Sequence, residues 1–293
     1  MLRNFLLNLF LVIFIASVSA AGFFYYKHNR AANVVDIIIP KKEINVTIIP
    51  GWNLRDIAED WVEKGIVSST QDVYELLGKP AYNYKAHIYQ AHGELAPVLL
   101  LADDPEWSEL FSDKPTNVSY EGYLMPDTYR VYADAAPEDV LKKIFSNLNK
   151  KITSEMRAEI KKQGKTIYEV LTMASVVQKE APTKEEMSMV ADIFWRRYEK
   201  NWALQSCATV NYITGKKDPG VNADDKDIDS LFNTYKYPGL PLGAISNPGP
   251  GAISAAIYPQ ENPYWYFMSD ADGVTHWART LDEHNANVAK YLR

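Results

Sequence analysis

The sequence predicts an α+β protein: an N-terminal transmembrane helix, a small α/β unit and a larger mixed α+β domain. Three observations carry this. From Phe5 to Tyr26 the only strongly polar side chain is Asn8, and a run of that length can cross a hydrocarbon core of roughly 30 Å as a helix. Thr166/Glu169, Thr183/Glu186 and Thr280/Glu283 each place a Thr three residues ahead of a Glu before an apolar helical period, the reciprocal pattern of a capped helix start. Short β-rich runs at Asn45–Ile49 and Tyr264–Met268 are bounded by Pro, Gly and Ser, as strands are.

Taken in order, the apolar run ends in Tyr25 and Tyr26 at interface depth, followed by Lys27, His28 and Arg30. Val18-Ser19-Ala20 would also serve as a signal-peptide cleavage site, but the run continues through Phe23 and Phe24 and exceeds a typical signal core of ~7 to 15 residues. A retained single-pass anchor with the body outside the cytoplasm is therefore expected. Basic residues flank the run on both sides, so charge alone leaves its orientation open. Residues 1–30 form the cytoplasmic tip and anchor, and 31–44 a linker.

Next come the strand Asn45–Ile49, the turn Pro50-Gly51, and Asn53 capping a helix with Leu54, Ile57, Ala58, Trp61 and Val62 on one face. A second helix runs from Ser69 or Thr70 to Leu77, whereas 78–117 shows no clear period. Tyr120–Val131 reads as a loop dense in Gly, Pro and Tyr. Pro137 opens a helix with a core face from Val140 to Leu148, and Ser154–Lys162 forms another, stopped at Gly164. The capped helices follow, separated by a loop and strand over Asn201–Thr214 and a broken Pro/Gly segment from Tyr237 to Gly251. Tyr264–Met268 and His276–Ala278 make a returning pair of strands, and the last helix runs to Tyr291.

Composition excludes several classes. With 293 residues, 47% of them hydrophobic, the chain can fill one large or two modest cores and is not disordered. A net charge of -6 and a pI near 5.5 leave no basic footprint for nucleic acid. The single cysteine, Cys207, rules out an internal disulfide and a Cys-based zinc cluster, and the five histidines show no His-Glu-x-x-His spacing.

The most telling group is Glu180. It ends an apolar helix that starts at Thr166 and is stopped by Pro182. The negative end of the helix dipole and the oily neighbours both favour the protonated carboxyl that a general acid needs. The same pattern also fits a solvated Glu in a last helical turn. Glycoside cleavage usually takes two carboxylates, but one suffices when a substrate hydroxyl is the nucleophile.

Six segments then carry a resemblance: Ala174–Glu180, Glu121–Tyr129, Leu204–Tyr212, Asn233-Thr234-Tyr235, Gly239–Gly249 and His284-Asn285. Together and in this order they are similar to the motif set of the MltG (YceG-like) endolytic murein transglycosylases, and the strand, Gly turn and helix from Asn45 resemble one half of a LysM module. The resemblance implies a LysM-like and connecting region over 45–117 and a YceG-like catalytic domain over 118–293. It further implies a membrane-anchored enzyme on the extracytoplasmic side of the cell (inner) membrane. That enzyme would cut the MurNAc-GlcNAc bond within peptidoglycan strands, leave 1,6-anhydroMurNAc ends without metal or cofactor, and release nascent strands beside penicillin-binding polymerases. Glu180 takes the catalytic position. Glu121, Tyr123, Gln205, Ser206, Thr209, Tyr212 and Tyr235 match motif positions that could bind sugar or orient the site, or fix loops by hydrogen bonds. Trp202 and Tyr235 could stack on sugars or belong to the core, and His276 and His284 read as structural.

The chain departs from the family pattern at Cys207-Ala208, where Asp-Pro is usual, at Leu242 for a Pro, and at Gln178 for a Glu. The Cys207-Ala208 change keeps open a catalytically weak peptidoglycan-binding scaffold. A cysteine hydrolase built on Cys207 with His276 or His284 is disfavoured, because Gln205–Tyr212 reads as strand and offers no helix N-terminus to the thiol. A muramidase using water would need a second carboxylate, for which Glu121 is the motif candidate.

Overall fold

Residues 2–32, 41–81, 105–216 and 220–292 are described by the computed structural model. They fall into two units, Met1–Lys42 and Glu43–Arg293. The expected linker and the expected aperiodic stretch 78–117 lie in part outside the described residues.

The first unit is helix α1 (Leu2–Ala32), with Phe10, Ile13, Phe14, Phe23 and Phe24 exposed. Among the described residues no helix is long and apolar enough to cross a membrane. This corrects the expected transmembrane segment. Within α1, Ser17, Ser19 and Gly22 interrupt the apolar run between Ile13 and Tyr26 and lower its hydropathy.

The α+β expectation holds in the second unit. Strand β1 (Glu43–Ile48) pairs antiparallel with β2 (Asp127–Tyr132), in register from Glu43 opposite Tyr132 to Ile48 opposite Asp127. Tyr129 and Val131 of β2 alternate inward from a stretch that reads as loop in the sequence. Between these strands lie α2 (Leu54–Glu63), α3 (Thr70–Leu77) and the single turn α4 (Ser108–Phe111). Helix α2 starts at a capping box in which Asn53 accepts from Arg55 N–H and Asp56 accepts from Asn53 N–H.

Helices α5 (Pro137–Lys151), α6 (Ser154–Lys162), α7 (Ile167–Glu180) and α8 (Lys184–Glu199) follow the capping and Gly signals closely. The sequence read α7 as buried on one face, but Thr172, Met173, Ser175 and Val176 are buried as well. The reason is its neighbours, since α8, α9 (Cys207–Thr214) and α11 (Pro250–Ile257) all pack on it. Ser175 in its middle accepts from Ile245 N–H and its carbonyl accepts from Ser246 Oγ, both at 3.0 Å. A small polar residue there lets the Gly-rich loop lie directly on the helix. Helix α11 is hydrophobic on nearly all sides, and Pro250 opens it at a first-turn position, where no amide hydrogen is needed. After the short α10 (Ala223–Lys226), the hairpin β3 (Tyr266–Ser269) and β4 (Thr275–Ala278) packs against α12 (Leu281–Tyr291).

Candidate active site

Helix α7 delivers Glu180. Its start is fixed by Thr166 and Glu169, whose side chain and backbone exchange hydrogen bonds at 2.8 and 3.1 Å, and its end by extended backbone at Ala181 before Pro182. Glu180 is half-buried, and Ser206 Oγ donates to its Oε1. The backbone N–H of Ala208 also reaches the carboxylate.

Ser206 is the N-cap residue of α9, and Ala208 lies in that helix's first turn. The chain reads as strand here; the structure makes it a helix. Glu180 therefore sits where the negative end of α7 meets the positive end of α9, two opposed dipole effects. Burial raises its pKa above the ordinary carboxylate value, while the Ser206 hydroxyl, the Ala208 N–H and the Arg197 charge pull it back. Arg197, on α8, is only 5% exposed and donates from Nη1 to the Leu204 carbonyl at 2.6 Å and from Nη2 to that of Trp265. Sequence reasoning did not single it out, because a buried cation in an otherwise ordinary Arg-Arg pair carries no local signature.

The turn that presents Ser206 is tightly specified. Gln205 holds a left-handed φ of +56°, uncommon for a side-chain-bearing residue. Its N–H donates to the Thr234 carbonyl at 3.0 Å, and Ser206 N–H donates to Thr234 Oγ1 at 3.1 Å. Thr209 Oγ1 is 2.9 Å from Thr234 Oγ1 and donates to the Ser206 carbonyl at 2.8 Å. The structure thus brings Gln205, Ser206 and Thr209 together beside Glu180, with Thr209 as an interior brace. Tyr235 closes the other side, its hydroxyl 3.0 Å from Cys207 Sγ.

Glu121 is placed differently. It is 2% exposed and its carboxylate accepts three hydrogen bonds, from Leu54 N–H (2.9 Å), Tyr212 OH (3.1 Å) and Asn247 Nδ2 (2.8 Å). The Asn247 amide is oriented by Gly122 and Leu124 N–H groups, each 2.9 Å from its Oδ1. Burial pushes Glu121 up to about 8 against the pull of Leu54 N–H and the Tyr212 hydroxyl. Gly122 is required beside it: its φ is +87° and a Cβ would come 2.5 Å from that of Ala244. Tyr123 is interior too, packed on Phe111 at 5.4 Å between ring centroids.

Glu180 opens on a cavity of about 560 Å³. Cys207, Ala208, Tyr212 and Ile245 line its inner wall, and Arg55, Asp56, Glu59, Lys179 and Lys216 give it a mixed-charge lining. Glu121 and Tyr123 do not line it. Gln178, at the position of a family Glu, accepts from Gly249 N–H at 2.9 Å and so pins the Gly-rich loop. Cys207 does have a helix N-terminus, contrary to the strand reading, but the hydrogen-bond partner of its thiol is Tyr235. His276 is bonded to Asp270 at 2.7 Å and stacked on Tyr291, and His284 is stacked on Tyr266. Among the described residues no group of three or more His, Cys, Asp or Glu side chains is placed to hold a metal ion.

The sequence pattern of the YceG-like family matches residues 9–290. The chain belongs to the YceG-like family. A Bacillus subtilis endolytic murein transglycosylase is 36% identical over 173 residues, 59% of this YceG-like chain and 48% of that protein. The Streptococcus pneumoniae endolytic murein transglycosylase is 28% identical over 257 residues, 84% of this chain and 44% of that one. The chain thus spans under half the length of either relative. The crystal structure of a yceG-like protein from Listeria monocytogenes superposes with a TM-score of 0.64 at 29% identity, covering 83% of this chain and 74% of the other.

Proposed function

We propose that this YceG-like chain is an endolytic peptidoglycan lytic transglycosylase with Glu180 as its single acid and base. The observation that carries the reading is the pairing of one half-buried, cavity-facing carboxyl whose pKa burial raises with a motif carboxylate, Glu121, sealed inside the fold. Protonated Glu180 gives its proton to the oxygen joining MurNAc C1 to the next GlcNAc as that bond breaks. The resulting carboxylate takes the proton of the MurNAc C6 hydroxyl as O6 closes on C1. Water is not consumed, and the products are a GlcNAc hydroxyl end and a 1,6-anhydroMurNAc end. Ser206 and the N-terminus of α9 stabilise the carboxylate between the two proton transfers, while Gln205 and Tyr235 stand beside it to meet sugar hydroxyls.

The substrate lies outside the cytoplasm, so we place the enzyme on the extracytoplasmic side of the cell (inner) membrane. There it would release or terminate nascent strands beside penicillin-binding polymerases. Two cavity carboxylates favour one competing reading, a muramidase that activates water. Asp56 is held in the α2 capping box, which leaves exposed Glu59 as its candidate base.

Digestion of purified peptidoglycan, with muropeptides read by mass spectrometry, separates these. Internal fragments ending in 1,6-anhydroMurNAc, absent with Glu180→Gln, are expected. Reducing ends lost in Glu59→Gln would replace this mechanism with hydrolysis. Glycan retained without cleavage would leave a binding scaffold.

A further inference from the structure

Outside the cavity, one cluster of aromatic rings has no role in the chemistry above. Trp202 is 37% exposed, high for a residue of its size in a folded unit. Its ring centroid lies 5.5 Å from that of Trp265, the planes tilted by 38°, and 6.0 Å from Tyr266, edge to face. Tyr266 in turn stacks on His284, 5.5 Å away at 27°. None of the four lines the 560 Å³ cavity.

The cluster is joined to Glu180 by one side chain. The Arg197 guanidinium carbon is 5.4 Å from the Trp202 ring centroid and 5.3 Å from that of Tyr266. Its charge also acts on Glu180. Through Nη1 it holds Leu204, two residues after Trp202 and two before Ser206, the donor to Glu180. Trp202 therefore leads into the same turn that presents Ser206 to the acid. A buried cation behind Trp202 and Tyr266 fixes them in place, which lowers the entropy lost when a ligand lands on them.

A glycan strand cut internally must be held on both sides of the broken bond. The cavity, with its polar and charged lining, can take one side, but a pyranose ring also has an apolar face of axial C–H groups. That face calls for a flat, partly exposed aromatic surface with polar atoms at its edge. Behind that surface His284, stacked on Tyr266, holds a buried Nδ1 without a hydrogen-bond partner.

We propose that Trp202, backed by Trp265 and Tyr266, is a sugar-stacking subsite. It holds one pyranose ring of the strand outside the cavity on which Glu180 opens. The assignment rests on the glycan-cleaving reading above. It makes the enzyme a reader of strand interiors: a strand that covers both the cavity and Trp202 is cut, whereas an end that reaches only one of them is bound weakly.

The test uses the full chain and uncross-linked glycan strands. Trp202→Ala should raise KM about tenfold with kcat changed by less than about threefold, and Trp202→Phe should recover most of the loss, since a ring face remains. A second measurement guards against misfolding. With 5-fluorotryptophan incorporated into the Glu180→Gln chain, the fluorine resonance assigned to Trp202 should shift on addition of chitohexaose. An unchanged KM in a folded Trp202→Ala chain that still turns over, or a Trp202 resonance that ignores chitohexaose while other resonances move, overturns the subsite and leaves the enzyme reading intact. Absence of turnover with Trp202-dependent binding of strands keeps the subsite and overturns the enzyme. Neither turnover nor binding removes both.

Discussion

Glu121 and Glu180 are both carboxyls drawn out of water, and burial raises the pKa of each. Their surroundings differ in kind. Glu121 accepts hydrogen bonds from three chain positions far apart in sequence, at 54, 212 and 247, and shows no atom to the cavity. Glu180 has one side-chain donor, Ser206, one backbone donor, Ala208, and an open face. A fully satisfied carboxylate ties segments together, whereas one with spare capacity can exchange a proton with a ligand. Burial and a raised pKa are common to both, so the number of internal partners is what separates structure from chemistry.

The sharpest way to break this contrast is to neutralise each group. Glu180→Gln should lower turnover about a thousandfold, the usual scale of a lost general acid, with an unfolding midpoint close to the parent's. If thermal melting fell as far as activity, Glu180 would be a structural group. Glu121→Ala should do the opposite. It strands three buried donors and should cost about 3 kcal/mol in denaturant unfolding, while turnover per folded molecule stays within about tenfold.

Titration sharpens the comparison further. Because the folded pKa of Glu121 is raised, the folded chain keeps a proton that the unfolded chain has lost. Its contribution is therefore complete below the ordinary value near 4.5 and is lost as pH rises toward about 8. Equilibrium unfolding from pH 4.5 to 8 should show that decline, and Glu121→Ala should flatten it. An equal slope in the variant would mean that the carboxyl is ionised throughout.

Smaller effects are expected at the donors to Glu180. Ser206→Ala removes a hydrogen bond to the charged form, so the pKa of Glu180 should rise. The high-pH fall in kcat/KM, where the acid loses its proton, should then move to higher pH, with maximal kcat down about tenfold. Ala208→Pro removes only a backbone N–H at a first-turn position that tolerates proline. It should shift the same limb in the same direction by less. This residue bears on the Cys207-Ala208 departure: a proline could not supply the N–H that Ala208 gives, so the departure adds a donor to Glu180. If the limb does not move, Ala208 does not touch the reacting group.

Much of the fold could be read directly. Capping boxes, Pro and Gly placed α7, α8 and α12 within a residue or two, and Pro182 put Glu180 at a helix end. Helix α9 was hidden because Ala-Thr-Val-Asn-Tyr-Ile-Thr is rich in β-branched residues, and tertiary packing overrides that preference. Its one start signal, Ser206 at the N-cap, donates its hydroxyl to Glu180 instead of capping the helix. Helix α11 was hidden by the Gly and Pro that precede it. The partners of Glu121 could not be foreseen at all, since three distant segments meet there only in the folded chain.

Helix α9 and its N-cap residue touch both carboxyls, Glu180 through Ser206 and Ala208 and Glu121 through Tyr212. For genetics this has an awkward result. In a cell, losing about 3 kcal/mol from a marginally stable chain removes much of the folded population. A phenotype screen would then rank Glu121 variants beside Glu180 variants as dead. Only the amount of intact protein recovered from each strain would tell a missing enzyme from a disarmed one.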